Sequence, residues 1–209
     1  MDAVDLASLL CSRLCHDLMS PVGALNNGIE LLADEQDPDM RDKCLDLLSE
    51  SARTTANKLK FFRLAFGAGG GFGEQVDTSE ARAALDGLFG SDGRIQLGWM
   101  VADEKMSKGA IKLLLNLALI GGDALVRGGR LDVGAESDGA TEIAIRAEGP
   151  RIALDAGIRA MLDGGSCDAI EPRTAGAWLA QNLASTAGGA VQLSQPTDEV
   201  LVLGATLPS

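Results

Sequence analysis

The sequence predicts an α+β protein: an N-terminal helical hairpin that closes into a four-helix bundle by dimerisation, followed by an α/β sandwich. Three observations predict it. Apolar residues recur at helical spacing through residues 1–66. A glycine run, Gly67-Ala-Gly-Gly-Gly-Phe-Gly73, then breaks the pattern. Beyond it, helical and alternating segments intermix to the end of the chain. The expected division is a hairpin over 1–67, a Gly-rich linker over 68–74 and a second domain over 75–209.

In the first helix Leu14, Leu18, Val22, Leu25, Ile29 and Leu32 form an apolar seam, which Leu6 and Leu10 extend backwards. Residues 34–39 are polar and end the helix. Asp37-Pro38 starts the next one: the carboxylate takes orphan N–H groups, and proline has none to lose. Met40, Cys44, Leu47, Ser51, Thr55, Leu59, Phe62 and Phe66 then recur at helical spacing. Leu9, Leu45, Leu48 and Phe61 lie outside a single narrow stripe. So broad an apolar surface on two helices calls for more helices, and a homodimer supplies them.

Past the glycines, the expected order is a helix over Thr78–Phe89 capped by Thr78 or Ser79, a strand over Ile95–Val101 and a long helix over Ser107–Val126. Strands Arg130–Ala135 and Thr141–Ala147 turn at Gly139. Helices near Leu154–Leu162 and over Thr174–Ala187 follow, the latter stopped by Gly188-Gly189. Strands Val191–Ser194 and Val200–Thr206 complete an antiparallel layer.

Composition narrows function. The net charge is −12 and tyrosine is absent. An acidic chain poor in aromatic faces suits neither nucleic acid nor an anionic membrane. The acidic start lacks the basic region of a signal peptide, and no apolar run nears the ~20 residues that cross a bilayer. The expectation is a soluble cytoplasmic protein. The glycine run lacks the Gly-Lys-Ser/Thr of a phosphate loop and reads as a linker. Cys11 and Cys15, four apart on one helix, read as small buried hydrophobes.

The chain holds one histidine, His16. At ~100° per residue it lies beside Ser12, Ser20, Gly23 and Asn27, flanked by Arg13 and Met19, away from the apolar seam. On that small, polar strip an imidazole is approachable, and neutral imidazole is a competent nucleophile near neutral pH. Asp17 can orient the ring or take its second proton. Pro21 cannot donate to the Asp17 carbonyl, so a kink is expected just past the histidine. A proline inside a helix costs about 3 kcal/mol.

His16-Asp17-Leu18-Met19-Ser20-Pro21 resembles the H-box of sensor histidine kinases, with Asn27, Glu30, Leu31 and Leu32 in its usual continuation. The second domain is similar to a histidine-kinase ATP-binding domain at Val76-Asp77-Thr78, at the N-box helix Lys112–Ala124, at Gly128–Leu131, at Ala187–Val191 and at Leu207-Pro208. Its nucleotide boxes depart from that family. Asn116 is present, but Ile120 stands where a second asparagine helps hold Mg²⁺, and an alkyl chain has no lone pair to give. Ala147–Arg151 does not match the adenine box, and Trp178 replaces a glycine beside phosphate.

A kept hairpin with a decayed ATP domain resembles the ChpT-type histidine phosphotransferases of the alphaproteobacterial cell-cycle relay. The resemblance implies a homodimer without ATP chemistry. It implies that His16 takes a phosphoryl group from the receiver domain of a CckA-like hybrid kinase and passes it to CtrA-like and CpdR-like response regulators. Ser12, Arg13, Met19, Ser20, Gly23 and Asn27 are the expected docking strip, with Arg13 also placed to offset phosphoryl charge. No cofactor is expected on this chain, and Mg²⁺ is expected in the partner's receiver domain. The rival readings are an active ATP-dependent kinase, a dimeric scaffold, and a metal site at Cys11, Cys15 and His16.

Overall fold

A computed structural model describes residues 2–67, 74–90, 93–164 and 171–208. Linker residues 68–73 and Cys167 lie outside the described residues.

Helix α1 spans Ala3–Asp34 and begins at Asp2, whose carboxylate accepts from the N–H groups of Val4 and Asp5. Helix α2 spans Pro38–Ala65. It starts as its sequence predicts, with Asp37 accepting from Asp39 and Met40 and proline in the first turn. Arg41 on α2 donates to the Leu32 and Glu35 carbonyls and so closes the C-terminal end of α1. The two helices form the expected antiparallel hairpin.

Strand β1, Gln75–Asp77, leads into helix α3, Thr78–Phe89, and strand β2, Ile95–Val101. Strand β3, Lys105–Ser107, precedes helix α4, Lys108–Ala124. Strands β4, Gly129–Asp138, and β5, Ala140–Glu148, make a hairpin. Helix α5, Ala156–Leu162, a 3-10 turn at Pro172–Thr174 and helix α6, Ala175–Thr186, precede strands β6, Ala190–Thr197, and β7, Val200–Pro208.

The main sheet has the order β2-β4-β5-β7-β6. It differs from the all-antiparallel expectation at one edge: β2 and β4 are parallel, because α4 lies between them in the chain and returns it to the same end of the sheet. β3 was not legible as a strand; it is three residues long and pairs with β1 alone. The N-cap of α3 is Asp77, not Thr78 or Ser79; the Thr78 hydroxyl instead donates to the Asp103 carbonyl.

One face of the sheet is covered. Trp99, Val133, Ile145, Leu203 and Leu193 align across five strands and pack towards the helices. The alternate positions, among them Glu136, Glu142 and Thr206, face solvent.

The hairpin is not packed separately from this layer. Phe61, Phe62, Leu64 and Ala65, the last turns of α2, are buried in the same cluster as Leu85 of α3, Leu114 of α4 and Leu131 of β4. The rings of Phe61 and Phe62 meet edge to face at 5.6 Å, and Phe62 stacks on Phe66 at 5.2 Å. The Asn116 amide donates to the Ala65 carbonyl at 3.1 Å, and Asn57 of α2 donates to the Gly87 carbonyl of α3. Hydrophobic burial and hydrogen bonds thus cross the junction together.

Because the core is shared, helix and second domain are expected to unfold as one. Both tryptophans, Trp99 and Trp178, lie in the second domain. In urea, far-UV circular dichroism and tryptophan fluorescence should give coincident transitions. Phe61→Ala should move both together, by about 3–5 kcal/mol.

Candidate functional site

Helix α1 presents three faces. Pro21 and Gly28 are buried against the rest of the chain, and a side chain at Gly28 would come within 2.9 Å of Leu48. Val4, Cys11, Cys15, Val22 and Ile29 form a second face, apolar and exposed. This corrects the expectation that Cys11 and Cys15 are buried: their stripe points away from α2. The exposed apolar surface continues on α2 with Leu45 and Leu59.

The third face carries His16. Ser12, Met19, Ser20 and Asn27 around it are exposed, and Gly23 is partly so. The imidazole itself is 85% exposed. Its Nδ1 lies 3.1 Å from Asp17 Oδ1. A carboxylate can only accept, so the ring proton belongs on Nδ1, and the lone pair of Nε2 is left free.

Asp17 is itself held. Its Oδ2 accepts from Arg13 Nε at 2.7 Å, and its side chain is only 18% exposed. Arg13, which its spacing put in the expected docking strip, turns away from the exposed face around His16. Its side chain is 17% exposed and turned towards the second domain, where Nη2 donates to Asp123 Oδ2 on α4 at 2.8 Å. Nη1 reaches the Arg173 carbonyl at 3.5 Å. Burial disfavours the charged guanidinium, but Asp123 and then Asp17 outweigh it and raise the Arg13 pKa. Loss of solvent pushes the Asp123 carboxyl above its ordinary range, Arg13 opposing and Asp17 adding to the rise. Solvent at the 47% of that side chain still exposed limits the effect.

Pro21 leaves the Asp17 carbonyl without its helical donor, as expected, yet α1 runs on unbroken. The missing donor comes from α2: Lys58 Nζ lies 2.8 Å from that carbonyl. Lys58 and Asp123 escaped sequence reading. Each meets the site only through tertiary packing, and no local spacing marks either one.

The nucleotide-box residues are elsewhere. Asn116 is fully buried, its amide donating to the Ala65 and Lys112 carbonyls. Ile120 is buried beside it in α4. Helix α6 packs directly on α4: a methyl group at Gly176 would stand 3.2 Å from Asn116 Oδ1. Trp178 packs against the core. Among the described residues no group of three or more His, Cys, Asp or Glu could hold a metal ion, and no helix is long and apolar enough to cross a membrane.

A hairpin bearing one exposed histidine is joined here to helices layered on a five-stranded sheet. Residues 78–199 match the family model of the histidine phosphotransferase C-terminal domain. The protein phosphotransferase ChpT of Brucella abortus (strain 2308) is 43% identical over 136 residues, which are 65% of this chain and 63% of that protein. A bacterial phosphotransferase solved at 1.7 Å superposes with a TM-score of 0.87 at 34% identity, over 98% of this chain and 97% of that one. The chain belongs to the histidine phosphotransferase family.

Replacing Lys58 by Met should leave the Asp17 carbonyl unpaired and half-buried, lowering stability by about 1–3 kcal/mol in chemical denaturation. Adding Pro21→Ala to that variant restores a backbone donor and should recover most of the loss. A Lys58→Met protein as stable as wild type would show that the carbonyl needs no such partner.

Proposed function

We propose that this protein is a histidine phosphotransferase of a multistep phosphorelay, with His16 as phospho-acceptor and Asp17 as the residue that orients it. The observation that carries the reading is an exposed imidazole whose Nδ1 is held by a carboxylate, leaving Nε2 open to in-line attack.

In the proposed step the Nε2 lone pair attacks the phosphorus of a receiver's aspartyl phosphate. The N–P bond forms as the P–O bond breaks, and the departing oxygen keeps its electron pair, restoring the receiver's carboxylate. Nδ1 keeps its proton, and Asp17 offsets the positive charge that develops on the ring. Transfer to a second receiver runs the same exchange in reverse. Mg²⁺ belongs to the receiver, whose acidic pocket offers oxygen ligands.

Residues 1–67 are assigned dimerisation and phosphotransfer, 68–74 a linker and 75–209 a degenerate ATP-binding-like domain. The exposed stripe of Val22, Ile29, Leu45 and Leu59 supports a homodimer whose two hairpins make a four-helix bundle. Ser12, Met19, Ser20, Gly23 and Asn27 are the proposed docking strip for a receiver helix; Arg13 serves from beneath it. The proposed donor is the receiver domain of a CckA-like hybrid kinase, and the acceptors are CtrA-like and CpdR-like response regulators. Neither nucleic acid nor membrane is a proposed partner, and the proposed location is the cytoplasm. The chain is proposed to bind no nucleotide: Asn116 turned into the core and Ile120 beside it offer Mg²⁺-ATP no ligand, and α6 lies against α4 at Asn116.

The test is a reconstituted relay of radiolabelled ATP, a hybrid kinase with its receiver, and this protein. Label should reach the wild-type protein only when the phosphorylated receiver is present, and should not reach His16→Ala. Label taken directly from ATP would make the protein a kinase. Label retained by His16→Ala would remove His16 from the chemistry.

A further inference from the structure

The contacts beneath His16 form a continuous chain that ends in the other domain. Asp17 Oδ1 meets Nδ1 of the ring, and Asp17 Oδ2 meets Arg13 Nε. Arg13 Nη2 then meets Asp123 Oδ2, at the C-terminal end of α4 and 110 positions away in sequence. Resting on the phosphotransfer reading above, we propose that Asp123 is a positioning residue for His16: acting through Arg13 and Asp17, it holds the imidazole in the tautomer that leaves Nε2 nucleophilic.

The physics of the pair Arg13–Asp17 requires such an anchor. The two residues are one helical turn apart on α1, and an isolated ion pair at that spacing is weak because both side chains remain free to rotate. Asp123 removes that freedom from Arg13. The planar guanidinium has donors in a fixed fork, so pinning Nη2 on Asp123 fixes where Nε points. Nε in turn pins Oδ2 of Asp17, and a carboxylate with one oxygen fixed presents the other in one direction, towards Nδ1. The Arg173 carbonyl, also in the second domain, lies at 3.5 Å from the third nitrogen. Two of the three acceptors around Arg13 therefore come from outside the hairpin. A domain proposed to be without nucleotide chemistry thereby has a part in building the acceptor.

Because His16 is the only histidine, full-length protein labelled with ¹⁵N-histidine reports a single imidazole, with no partner needed. At about pH 8, where an unperturbed ring is neutral, the wild-type spectrum should show a protonated Nδ1 and an unprotonated Nε2. Asp123→Ala should shift the ring towards the Nε2-protonated form. It should also slow transfer from saturating phosphorylated receiver by roughly tenfold, less than the roughly 10²–10⁴-fold of a group that meets the proton itself, because Asp123 acts through Arg13 and Asp17. The receiver concentration at half-maximal rate should not change. Asp123→Asn keeps an acceptor oxygen and should recover part of both effects. Arg13→Lys keeps the charge but cannot span two carboxylates, and should reproduce Asp123→Ala; it also replaces that variant if Asp123→Ala does not fold. Ring nitrogens unchanged from wild type in Asp123→Ala, or in Arg13→Lys, would overturn the proposal. A shifted tautomer in a protein whose wild type never takes up label would leave the positioning role standing and overturn the phosphotransfer reading instead.

Discussion

The arrangement of this molecule depends on where the last two turns of α2 go. Phe61, Phe62, Leu64 and Ala65 sit in the apolar cluster they share with α3 and α4 rather than in the hairpin they belong to by sequence. Asn116 ties the end of that helix to α4 through the Ala65 carbonyl. With α2 so anchored, α1 is carried against the second domain at a set height. That height puts Arg13 opposite Asp123 and the 3-10 turn, and lifts His16 clear on the other side. Displacing Phe61 would change the site without touching it.

Asn116, which its helix's resemblance to an N-box marks out in the sequence, has a structural part here: its amide donates to two backbone carbonyls in the core. Its own oxygen has no donor among the described residues, and α6 closes over it. A buried acceptor left without a partner carries a cost. The junction with α2 offsets it, because the same side chain satisfies a helix-end carbonyl that would otherwise be orphaned.

Much of this was legible in the residues. Asp37-Pro38 marked the start of α2, since a cap and a proline without an N–H can mean little else beside an apolar repeat. The polar strip around His16 could be drawn from helical geometry, and so could the loss of the Asp17 carbonyl's helical donor. Periodicity identifies an apolar face without naming what covers it. Cys11 and Cys15 therefore read as buried when they are exposed, and the Phe61–Phe62 pair gave no sign that its neighbours are in another domain. Lys58, Asp123 and the parallel pairing of β2 with β4 depend on contacts between segments far apart in sequence. No local propensity encodes such contacts, and an ion pair across 110 positions leaves no pattern to find.

Four charged side chains surround the base of His16: Arg13 and Lys58 on one sign, Asp17 and Asp123 on the other. The resting site is thus electrically balanced within a chain whose net charge is −12. Long-range repulsion from the remaining surface fades within roughly a Debye length, about 8 Å in physiological salt. On the phosphotransfer reading, loading the imidazole adds negative charge to that ground. The empty and loaded forms would then present different fields to the same acidic receiver pocket with no change of fold.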